Sequence, residues 1–239
     1  MSLLSLPVVA TQALWVRSRT PKLPPASGPT SATTGGDGPD PDRPYRLAVV
    51  GESTAAGVGV STHDDGFTGS LARELAARTG RSVEWTVVGR DGATARRIRH
   101  RLVPELIETA SSPWDTVVVL AGVNDVLGRR DPGEWSEDLT AIIDELSRHA
   151  ARVVIAGVPP FEQFPSVPRT LARFLARRAA ALDTASQRVC AGRPRTVWVS
   201  STDSMPMRPE FFSSDRFHPG ALGYEHWARL IAEHVMLSG

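Results

Sequence analysis

The sequence is short of several things, and each shortage removes a class of function. There is one cysteine, Cys190, in 239 residues, which excludes an internal disulfide framework and a cysteine-ligated zinc cluster. As a nucleophile it competes with a plainer role, a small apolar residue buried at the end of a helix. Charge of one sign is also lacking. The formal net charge is +1, and the arginines are spread along helical segments instead of forming one block, so no general field draws in nucleic acid. No segment repeats, and no uninterrupted run reaches the ~20 apolar residues needed to cross a bilayer. His100, His149, His226 and His234 fall in helical patterns without the His-Glu-x-x-His spacing of a metal site. His63 sits in a loop, where solvent is its plainest partner. No metal and no cofactor are expected.

What is present begins with "SLLSLPVVATQALWV", an apolar segment broken by Pro7 and followed by Arg17 and Arg19. A secretory signal carries its positive charge before the apolar run. The expectation for residues 1–19 is therefore a helix that packs on the rest of the chain or makes a weak contact with a membrane surface, in a cytoplasmic protein; export stays open. Residues 20–44 are rich in Pro, Gly, Ser, Thr and Asp and bury too little apolar area to offset ordering entropy. They read as a linker or a wrapped extended segment, with the main domain spanning 45–239.

In that domain, short β-branched runs alternate with helical periodicity. "RLAVVG", "VEWTVVG", "DTVVVLAG", "RVVIAGV" and "TVWVS" read as buried parallel strands. Helices are expected over 67–79, 93–110, 134–150, 168–191 and 221–236. Strict βα alternation predicts a three-layer α/β/α fold with a five-stranded parallel sheet, and ligand chemistry belongs at the carboxyl ends of its strands.

Those strand ends carry the candidates. After the first strand, "VVGESTAAGVGV" has no lysine for a Walker phosphate loop and the wrong glycine spacing for a dinucleotide fingerprint; Ser53 remains as a nucleophile. Gly92 follows the second strand, where it is either a turn glycine or a free backbone donor. Asn124 in "LAGVNDVL" follows the third, either as a turn residue or as an amide donor, while Asp125 braces the loop. Near the end, "SSDRFHPG" sets Asp215 three residues before His218, either as turn punctuation or as an acid beside the base it orients.

Taken together, "GES", Gly92, "GVND" and "DRFHP" in this order resemble the four sequence blocks of the SGNH hydrolases, the GDSL-type esterases and lipases. The resemblance covers residue 46 to about 236 and implies a single-domain flavodoxin-like fold. It also implies a triad of Ser53, His218 and Asp215, with Ser53, Gly92 and Asn124 forming an oxyanion hole. One position departs from the family, Glu52, where aspartate usually stands. On this reading Ser53 attacks an ester or thioester carbonyl through an acyl-enzyme, with His218 as general base. The partner is a small acyl ester or acyl donor. Water resolves the acyl-enzyme in an esterase, whereas a sugar or other alcohol does so in an acyltransferase, with acyl-CoA as one donor. A third possibility keeps the fold as a non-catalytic binding module. Phe161, Phe164, Met205, Met207, Phe211 and Phe212 lie in two loops near the carboxyl edge, where they either pack the loops or line an acyl pocket sized for a medium chain.

Overall fold

A computed structural model describes residues 6–35, 43–201 and 208–237. The chain runs α1 (Leu6–Arg19), β1 (Ser31–Thr34), β2 (Tyr45–Gly51), α2 (Phe67–Thr79) and β3 (Val83–Gly89). It continues through α3 (Ala95–Arg97), a π turn over Ile98–Leu102, α4 (Val103–Glu108), β4 (Trp114–Leu120) and α5 (Val123–Leu127). The last elements are α6 (Pro132–Leu146), β5 (Ala150–Ala156), α7 (Arg169–Cys190), β6 (Thr196–Val199) and α8 (Ala221–Leu237).

The sheet order is β1-β3-β2-β4-β5-β6. The five expected strands are present and pair in parallel. The sheet is mixed and six-stranded, however, because β1 comes from the segment expected to be a linker or a wrapped extended segment and pairs antiparallel with β3. The reason is the open edge of β3: an unpaired row of backbone groups accepts any extended chain that can reach it. Thr34 Oγ1 also accepts from the Trp85 indole N–H at 3.1 Å. The stretch between α1 and β1 is held to the loop after β2 by Ala26 N–H donating to Ala56 O and Ser27 N–H to Ser61 O, both 2.9 Å.

Successive residues of a strand face opposite sides of a sheet, so β2 feeds two cores. Leu47 and Val49 pack with α2 and α8, including Phe67 and Trp227, whose rings meet edge-on at 5.0 Å. Ala48 and Val50 face the other layer, with Ile98, Leu106, Trp135 and Leu171. On that side α1 seats Val9 in the core, and Gln12 Oε1 accepts from Leu171 N–H at 3.0 Å. No helix among the described residues is long and apolar enough to cross a membrane. The single expected helix over 93–110 is interrupted by the π turn.

Two strand-end glycines let neighbouring loops close on the sheet. A Cβ on Gly51 would stand 2.2 Å from Leu120 O, and one on Gly89 would stand 2.2 Å from Ala56 N. Gly89 thereby makes room for the loop that follows Ser53. Gly89→Ala should therefore cost ~2 kcal/mol of stability and lower the melting temperature by roughly 6 °C, read by thermal denaturation. An unchanged melting temperature would show that the loop can move aside freely.

Candidate active site

In this sheet β2 is the first of the parallel strands, and its neighbours β3 and β4 lie on opposite sides of it. The chain leaving β2 and the chain leaving β4 diverge there, opening the crevice that parallel α/β sheets use for ligands. Ser53 stands just past β2, and Asn124 stands in the first turn of α5, just past β4. The turn at Ser53 is closed by Ala56 N–H donating to Glu52 O and Val58 N–H donating to Ser53 O, both 3.0 Å.

The last loop reaches the same crevice. His218 Nε2 lies 3.0 Å from Ser53 Oγ, and His218 Nδ1 lies 2.6 Å from Asp215 Oδ2. The other carboxylate oxygen, Asp215 Oδ1, accepts from the Ser213 hydroxyl at 2.8 Å and from the backbone N–H groups of Phe217 and His218 at 2.9 Å. Asp215 is 3% exposed. Burial pushes its carboxyl upward, but the bonds from His218, Phe217 N–H, His218 N–H and Ser213 outweigh it and hold the group at about 2. An anionic Asp215 requires the neutral imidazole to carry its proton on Nδ1, which leaves Nε2 as the acceptor facing Ser53.

The Asp215–His218 loop is tight enough that Arg216 adopts φ +58°. It is anchored on both sides. Ser213 N–H donates to His218 O at 2.9 Å, and Gly220 N–H to Phe211 O at 2.8 Å. From α8, the buried Tyr224 hydroxyl donates to Val58 O at 2.7 Å, tying this loop's helix to the nucleophile loop.

Gly92 is exposed, with φ +72°. Among the described residues neither the Ser53 nor the Gly92 backbone N–H donates a hydrogen bond. Asn124, expected as a third oxyanion donor, already spends both amide hydrogens inside the protein: Nδ2 donates to Glu52 Oε2 at 2.6 Å and to Ala93 O at 3.1 Å. Glu52 is the one departure from the family pattern, and its contacts were not foreseeable from its type. Burial pushes its carboxyl up to about 7, against backbone bonds from Asn124 and Val123 that favour the charged form; nearby Asp125 adds to the rise. Asp125 reaches away from its own loop: its Oδ2 accepts from Ala95 N–H at the start of α3 at 2.9 Å, and burial raises it to about 6.

The cleft at Ser53 is small, ≈ 30 Å³, with apolar walls from Val123, Pro159, Phe164, Phe217, Pro219 and Trp227. Of the aromatic and methionine candidates, Phe164 lines it. Phe161 does not: it packs against Phe164, ring centroids 5.3 Å apart, and borders the neighbouring larger cavity instead. Phe212 likewise packs edge-on against Phe164 at 5.4 Å. Phe211 turns away and stacks on His226 of α8 at 5.0 Å. Met205 and Met207 lie outside the described residues. Val123 and Phe217 stood inside the sequence blocks "GVND" and "DRFHP", and Pro159 in the loop that carries Phe161 and Phe164, whereas Trp227 had no sequence signal. Beyond Pro159 lies a larger cavity of ≈ 420 Å³, bordered by Glu162, Asp183, Gln187, Trp198 and Ser200 among others. Among the described residues no cluster of three metal-ligating side chains occurs.

Residues 49–226 match the model of the GDSL-like lipase/acylhydrolase family. A GDSL-like esterase of Mycobacterium tuberculosis is 27% identical over 189 residues, covering 77% of this chain and 60% of its own length. The chain thus spans about three-fifths of the curated relative it matches. Among solved structures, TesA superposes with a TM-score of 0.65 at 19% identity, over 82% of this chain and 100% of its own. A lipase/acylhydrolase from Enterococcus faecalis gives 0.59 at 25% identity, over 80% and 95%.

The raised acids set a pH dependence. Asp125 holds its proton to about 6 when folded, against an ordinary 3.8, so its contribution is full at low pH and is lost as pH rises through that window. His63, lowered by burial, works the other way below its ordinary value, so the comparison has to be made against a variant. Asp125→Asn should match the wild-type melting temperature near about pH 4 and exceed it by several degrees at about pH 8. A gap independent of pH would contradict the assignment.

Proposed function

Because the chain belongs to the GDSL-like lipase/acylhydrolase family, we propose that it is a carboxylic ester hydrolase working through an acyl-enzyme on Ser53. The observation that carries this reading is the continuous line from Asp215 through His218 to Ser53 Oγ, with contacts of 2.6 and 3.0 Å. His218 takes the Ser53 proton as Oγ attacks the ester carbonyl, and Asp215 stabilises the imidazolium that forms. His218 then returns the proton to the leaving alcohol, and a water repeats the sequence to release the acid. The free N–H groups of Ser53 and Gly92 suit the tetrahedral oxyanion, where a single donor is worth ~3 kcal/mol.

The size of the cleft argues for short acyl groups. At ≈ 30 Å³ it suits a group as small as an acetyl methyl better than the medium chain that the loop aromatics suggested. The larger cavity beyond Pro159, walled by Phe161 and alanines of α7 as well as by Glu162 and Asp183, has room for the alcohol half of the ester. The same cavity favours a second reading, acyl transfer, because it would seat a sugar or other alcohol in place of water. The intact Ser53, His218 and Asp215 geometry speaks against a binding module without chemistry. At the other end of the chain, α1 exposes Val8, Leu14 and Trp15 beside Arg17 and Arg19, which suits a weak contact of a cytoplasmic enzyme with a membrane surface.

Ser53→Ala should abolish cleavage of p-nitrophenyl acetate without moving the melting temperature by more than a few degrees. Asp215→Asn, which leaves the shape but disturbs the imidazole tautomer, should lower kcat by ~10⁴. Full activity in Ser53→Ala would sink the hydrolase reading. The rate should fall steadily from acetyl to octanoyl esters, and an octanoyl preference would refute the short-acyl reading. Supplying candidate alcohols with an acyl donor separates the two outcomes of the acyl-enzyme: if free acid alone ever forms, transfer is excluded.

A further inference from the structure

Glu52 is nearly fully buried, 3% exposed, and its backbone prolongs the sheet, its N–H donating to Leu120 O at 3.0 Å. Its side chain crosses the gap between β2 and β4. There Oε1 accepts from Val123 N–H at 3.1 Å, and Oε2 accepts from Asn124 N–H at 3.1 Å and Asn124 Nδ2 at 2.6 Å. The remaining hydrogen of the same carboxamide goes to Ala93 O at 3.1 Å, one residue past Gly92. One acid and one amide therefore join the chain ends that leave β2, β3 and β4. The same chain ends carry two backbone donors that have no partner among the described residues, Ser53 N–H and Gly92 N–H.

We propose that Glu52 is a positioning residue: acting through the Asn124 carboxamide, it fixes the spacing of the Ser53 and Gly92 backbone donors that receive the oxyanion. The proposal rests on the serine-hydrolase reading of the site. Three N–H groups converge on two oxygens, an arrangement that suits an acceptor-only carboxylate. Glutamine of the same length supplies one oxygen and sets an NH₂ against a backbone N–H, leaving a buried donor unpaired and turning the Asn124 amide. Donors displaced in this way act on the transition state and not on ground-state binding, so the loss falls on kcat.

The test is a double-mutant cycle on the full chain with p-nitrophenyl acetate, using Glu52→Gln, Glu52→Asp, Asn124→Ala and the combined variants. Glu52→Gln should lower kcat about 100-fold with KM within about twofold, and Glu52→Asp, which keeps the acceptor, should restore part of the loss. In the Asn124→Ala background Glu52→Gln should cost less than about threefold more, because the intermediary is already gone. Independent, multiplying losses would overturn the proposal, as would wild-type kcat in Glu52→Gln. If Glu52→Gln melts too low to assay, Glu52→Asp decides. A kcat loss of at least about fivefold that vanishes in the Asn124→Ala background supports the proposal, and an unchanged kcat overturns it. Activity abolished by Ser53→Ala anchors the assay. An inactive wild type would tell against the hydrolase reading and this proposal together, whereas an active wild type indifferent to residue 52 overturns this proposal alone.

Discussion

The arrangement depends on one topological constraint, the reversal of strand order at β2. Because β3 and β4 flank β2 on opposite sides, the loops leaving β2 and β4 cannot cover each other, and a crevice stays open between them. Backbone groups at such a gap lack ladder partners, so they need side chains or ligand to satisfy them. Glu52 meets that need for α5, while the N–H groups of Ser53 and Gly92 are left without partners among the described residues. A site with spare donors beside a hydroxyl follows from how the sheet ends, before any particular chemistry is considered.

The histidine comes from the far end of the chain, and its placement depends on a second set of contacts. Asp215 uses one oxygen to fold its own loop and the other to hold the imidazole. The energetic consequence is that a buried carboxylate stays charged, because hydrogen bonds replace the water it loses. Tyr224 then ties α8 to the nucleophile loop through Val58. A Cβ on Gly59 would stand only 2.2 Å from Pro219 O, so that contact requires glycine on the nucleophile side. Ser53 and His218 are thus set by the packing of two loops against each other, with little left to the freedom of either side chain.

Much of this was legible in the sequence, and the remainder was hidden for identifiable reasons. The five parallel strands announce themselves because each is a short β-branched run, with the central β2 and β4 buried on both faces, and Asp215 and His218 do so because their spacing is local. β1 gave no such signal: "SATT" is short and mostly exposed, and it is a strand only because the β3 edge offers it partners. The link from Glu52 to Asn124 spans 72 residues and could not be read from either segment alone, although the unusual residue at position 52 marked where to look. Trp227 walls the cleft through tertiary packing, to which local pattern is blind. Phe211, which stacks on His226, misled for the same reason, since apolar residues in long loops serve packing as readily as ligands.

The central claim is that Ser53 is a nucleophile activated by His218, and covalent trapping tests it most directly. The folded wild-type chain, treated with a fluorophosphonate and examined by intact mass and peptide mapping, should carry one adduct on Ser53. His218→Ala should carry none on the same time scale. A folded wild type that takes no adduct, or takes it on another residue, would contradict the account.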